Sequence, residues 1–92
     1  MDNDSLVRMA NRIGDFFEAM PDRDRAMVDI ADHMRKFWEP RMRRQMLEYV
    51  DLHQGSGLGE IVARAVTRHR PLLEEGLSRN RAGTAPPDGN RQ

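Results

Sequence analysis

Three histidines, His33, His53 and His69, are the side chains of this sequence best suited to hold a metal or move a proton. They stand twenty and sixteen residues apart, and neither interval is a ligand spacing. Asp29 and His33 are four apart, which two ligands on one helix face could use, but such a pair arises often by chance. The glycines of GSGLGE, at Gly55, Gly57 and Gly59, look like a phosphate-cradling loop only in outline. No strand-like run precedes them and their remaining spacing is wrong, so a linker is the better reading. Ser5, Ser56, Ser78, Thr67 and Thr84 lack any flanking nucleophile motif, and the many carboxylates fall on solvent faces of the expected helices. Nothing here assembles a catalytic constellation, a metal site or a cofactor site.

One run does concentrate unusual chemistry. FWEPRMRR, residues 37–44, places two aromatics, a proline and three arginines within eight positions. It allows two readings. In the first, the aromatics are core and the arginines a solvated helix face. In the second, Phe37 and Trp38, about 100° apart on a helix, cannot both be covered by a small hairpin, and an uncovered tryptophan beside arginines forms a binding hot spot.

The elements that must position this run follow from apolar periodicity. Leu6, Met9, Ala10, Ile13, Phe16, Phe17 and Met20 recur every three or four residues, which predicts a helix over residues 5–20, capped by Asp4 or Ser5 and stopped by Pro21. Ala26, Met27, Ile30, Ala31, Met34, Phe37 and Trp38 predict a second helix, capped by Asp22, with Arg35 and Lys36 at its negative end. Pro40 suits the first turn of a third helix carrying Met42, Met46, Leu47, Tyr49 and Val50. Glu39 is then a sharp corner, with a kinked continuous helix as the competing reading. QGSGLG, residues 54–59, is a linker before a short fourth helix with Leu58, Ile61, Val62, Ala65 and Val66, which Pro71 ends or bends.

These signals predict an all-α fold: a three- to four-helix domain over residues 1–77, built on an antiparallel helical hairpin, and a disordered tail over residues 78–92. The tail, SRNRAGTAPPDGNRQ, has alanine as its only apolar type besides proline and glycine and cannot repay the entropy of ordering. In the hairpin, Phe16 and Phe17 are expected at the turn, with Phe37 and Trp38 at the far end near Leu6 and Met9. Phe37 takes the available cover and Trp38 is left partly exposed.

Composition bounds the function classes. The chain has 92 residues and no cysteine, which rules out disulfides and thiolate metal sites and fits a reducing, cytoplasmic setting. No apolar run nears the ~20 residues that cross a bilayer, and the N-terminus has the wrong order for a secretory signal, so a soluble protein is expected. Net charge is zero, which argues against nucleic acid as partner, although Arg35, Lys36, Arg41, Arg43 and Arg44 beside Trp38 keep that alternative open. The charge is segregated: residues 1–34 carry eight acids against four bases, and residues 35–70 eight bases against four acids. Six internal methionines weakly favour an adaptable partner groove involving Met20, Met27, Met34, Met42 and Met46.

LVRMANRIGDFF and IADHMRKFWEPRMRRQML together resemble the delta subunit of cytoplasmic, molybdenum-containing, NAD-dependent formate dehydrogenases, with GLGEIVARAV a looser likeness. The resemblance implies a non-catalytic subunit that binds and stabilises the large catalytic subunit, because in that family the molybdenum pterin, iron–sulfur clusters, flavin and NAD belong to larger chains. A transient maturation factor would look the same in sequence. Either way the expected partner surface is the corner of Trp38, Glu39, Pro40, Arg41, Met42, Arg43 and Arg44, with no cofactor, substrate, nucleic acid or membrane of its own.

Overall fold

The protein is described here by a computed structural model covering residues 1–77; the tail expected over residues 78–92 lies outside the described residues. Among the described residues the chain is all α-helix: α1 (Asn3–Phe17), α2 (Arg23–Phe37), α3 (Pro40–His53), α4 (Glu60–Arg68) and α5 (Arg70–Glu74). None is long and apolar enough to cross a membrane.

The helix starts follow from side chains that satisfy orphan backbone donors. Asp2, rather than Asp4 or Ser5, caps α1 by accepting the Ser5 N–H at 2.7 Å, and Asp22 caps α2 by accepting the Arg25 N–H at 3.1 Å. Between α2 and α3 the chain breaks instead of kinking: Trp38 (ψ 140°) and Glu39 (ψ 151°) are extended, as the residue before a proline is pushed to be, and Pro40 opens α3. The linker after α3 turns through left-handed residues, Gln54 (φ 57°), Gly55 (φ 72°) and Gly57 (φ 88°). Pro71 neither simply ends nor bends α4. A break at His69 separates α4 from the short α5, and Pro71 sits in the first turn of α5.

The second helix is the centre of the packing, touching α1, α4 and α5, while α3 closes against α5 and more lightly against α1 and α4. Leu6, Ile30, Met34, Met46, Val62, Val66 and Leu73 are fully buried. Met27 joins them, and Met20 and Met42 pack half-buried against the cluster. These five methionines therefore fill gaps inside the core and do not line an open groove, a use that their flexible thioethers allow equally well.

Candidate functional site

The FWEPRMRR run is divided between core and surface. Trp38 is 6% exposed and belongs to the core, whereas Phe37 is 71% exposed. The expected assignment of cover is thus reversed, because the estimate of 100° between the two side chains assumed that both are helical. Phe37 is the last residue of α2. Trp38 is already extended, which swings its indole inward while its backbone N–H still bonds Met34 O at 3.0 Å.

Arg43, placed on the same expected surface, is also buried, at 7% exposure. Its guanidinium donates to Leu73 O at 3.2 Å and Glu75 O at 2.8 Å, satisfying carbonyls at the end of α5, and its Nε has no partner. Arg35 reaches the same segment from α2, pairing with Glu75 at 3.2 Å. Of the remaining corner residues, Glu39, Pro40 and Arg41 are exposed and Met42 and Arg44 half-buried. Glu39 and Arg41 approach each other at 3.7 Å. The corner offers a small polar surface backed by a structural tryptophan and arginine.

The histidines have structural neighbours. His53 lies against Tyr49, ring centroids 5.0 Å apart, and His69 marks the α4–α5 break. His33 lies between Phe17 (6.2 Å) and Phe37 (4.8 Å), and Phe17 in turn meets Phe16 edge-on at 5.0 Å. The aromatics expected at opposite ends of the hairpin are therefore bridged through His33 into one row. Among the described residues no three His, Cys, Asp or Glu side chains gather as a metal site would require.

Three further residues, Asn11, Tyr49 and Gly14, position the elements in ways the sequence reading did not assign to them. Asn11 brackets the glycine linker, donating its amide to Gly57 O at 3.0 Å and accepting the Gly59 N–H at 2.8 Å, which supplies the start of α4 with an acceptor. The Tyr49 hydroxyl donates to Ser56 O at 2.5 Å on the other side of the same loop. Gly14 is buried inside α1, where a methyl group would collide with the Val62 side chain. The available signals were a glycine and an asparagine, both poor helix formers, within a stripe that otherwise reads as uninterrupted helix.

A family model for the NADH-dependent formate dehydrogenase delta subunit, FdsD, matches residues 5–66, which takes in nearly all of α1, all of α2 and α3, and most of α4. The chain belongs to that family. This delta subunit is accordingly an accessory chain of a formate dehydrogenase and not its catalytic one. Comparison with curated proteins and with solved structures gives no match.

Proposed function

We propose that this delta subunit is a lasting component of a cytoplasmic, molybdenum-containing, NAD-dependent formate dehydrogenase, in which it binds and stabilises the large catalytic subunit. The observation that carries this reading is the family match over residues 5–66, which includes the whole FWEPRMRR run. The geometry is consistent with a binding role. The buried half of the run sets Trp38 in the core and ties α3 to the end of α5 through Arg43, and the exposed half, Glu39, Pro40 and Arg41, lies beside them in the same run.

The test is co-expression of the tagged chain with the other subunits of the enzyme. Elution in a fixed ratio with active enzyme through gel filtration is the expected result, together with a higher melting temperature for the large subunit when the chain is present. Elution of active, fully loaded enzyme without the chain would sink the reading and favour a transient maturation factor.

A further inference from the structure

We infer that the aromatic row Phe16–Phe17–His33–Phe37 is the surface through which this delta subunit docks, and that its occupant is an apolar groove on a larger subunit of the formate dehydrogenase. The inference rests on the subunit role proposed above and adds the residues that do the binding.

Phe37 lies seven and eleven residues after Ile30 and Ala26, on the stripe of α2 that those two fully buried residues define, yet 71% of it is exposed. The inward face of α2 thus continues past the point where this chain's own helices cover it. At the other end Phe16 is 75% exposed, and Phe17 and His33, both half-buried, join the two into a continuous series of ring contacts. Large apolar side chains in contact and in water mark an interaction site, whereas scattered ones need no explanation. Leu52 is equally exposed, at 75%, but is not part of the row and serves as the control.

The size of the row identifies the occupant. Two phenyl groups about three-quarters exposed offer roughly 300 Å² of surface. Self-pairing about a two-fold axis would bury roughly 600 Å² in total, half the ~1,200 Å² at which specific interfaces begin. Residues 78–92 carry no apolar side chain larger than alanine and proline, so that segment does not supply an aromatic-sized cover. A larger chain can receive the rings in a groove and extend its contacts over the surrounding polar rim, where Lys36 and Arg41 are exposed.

The experiment measures binding of the full-length chain to the co-purified remaining subunits, for wild type, Phe16→Ser/Phe37→Ser and Leu52→Ser, with circular dichroism and melting of each chain alone. A loss of at least tenfold in affinity for the double variant is expected, with wild-type helicity and with Leu52→Ser unchanged. Photo-crosslinking from position 37, but not from position 52, to a larger subunit would support the same conclusion independently of affinity. Wild-type affinity in the double variant overturns the docking surface while leaving the subunit role intact; failure of the wild-type chain to bind any subunit overturns the subunit role itself. A concentration-dependent dimer of the wild-type chain that Phe37→Ser abolishes would assign the row to a second copy and overturn the proposal.

Discussion

Trp38 and Phe37 are neighbours of similar bulk with opposite environments, and truncating each tests the division between core and surface. Trp38→Ala removes a buried indole from the junction of α2 and α3 and should cost about 3 kcal/mol or more, as large core truncations do. Phe37→Ala should cost no more than about 1 kcal/mol, since the exposed ring loses little beyond its contact with His33. Urea denaturation of both variants in isolation decides the matter, and similar losses for the two would contradict the burial. Arg43 shows why residue type alone misleads. An arginine in a basic run reads as solvated, but its fork can be buried when backbone carbonyls accept from it, as Leu73 and Glu75 do here.

Among the elements, α1 and α4 approach closely because Gly14 has no side chain at the contact. Alanine there would gain roughly 0.5–1 kcal/mol of helix propensity. It would also press on Val62, and overpacking of that kind costs typically 1–3 kcal/mol. Gly14→Ala should therefore lower stability by about 1 kcal/mol, read as a lower urea midpoint with an unchanged slope. A midpoint above wild type would show that α4 shifts away without cost. The short α5 is the opposite case. Five residues cannot sustain a helix alone. Leu73 in the core, the Arg43 bonds and the Arg35–Glu75 pair hold it in place.

Across the molecule ion pairs join segments distant in the chain, and one of them, Arg68–Asp24, sets the basic stretch against the acidic one. Arg68 pairs with Asp24 at 3.5 Å, Arg23 with Glu60 at 3.9 Å, and Arg70 with Asp51 at 2.8 Å. Three carboxylates are held below their ordinary pKa: exposed Asp2 by the Ser5 backbone N–H, half-buried Asp32 by Arg35 and then Lys36, and exposed Asp51 by Arg70. A depressed pKa means that near pH 4 the unfolded chain binds more protons than the folded one, so stability rises with pH in that window. The contribution should be fully present above about pH 5 and be lost as the pH falls through about 4 and below. Urea midpoints at pH 7, 5, 4 and 3 check it, with a flat course to pH 5 and a decline below. Because Asp32 and Asp51 form ion pairs within reach of solvent, 1 M salt should reduce the parts due to Asp51, the more exposed, and to half-buried Asp32 more than the capping bond of Asp2. A midpoint that rises on acidification would contradict the assignment.

The sequence alone placed α1 to α4, since apolar periodicity, Asp22, Pro40 and the glycines of residues 54–59 are local signals that act within a few residues of themselves. But α1 ends at Phe17, short of Pro21, and the break at His69 that sets off α5 was not legible. It also carried the family, through strings that later matched as one stretch over residues 5–66. Which aromatic is covered was not legible. That outcome depends on the extended backbone at Trp38 and on where α4 and α5 end against α2, and both are set by packing between segments distant in the chain. The same holds for Gly14, Asn11 and Arg43, whose partners lie about thirty or more positions away. A helix stripe states that a face will be covered, and only the tertiary structure shows that the cover over α2 stops short of Phe37.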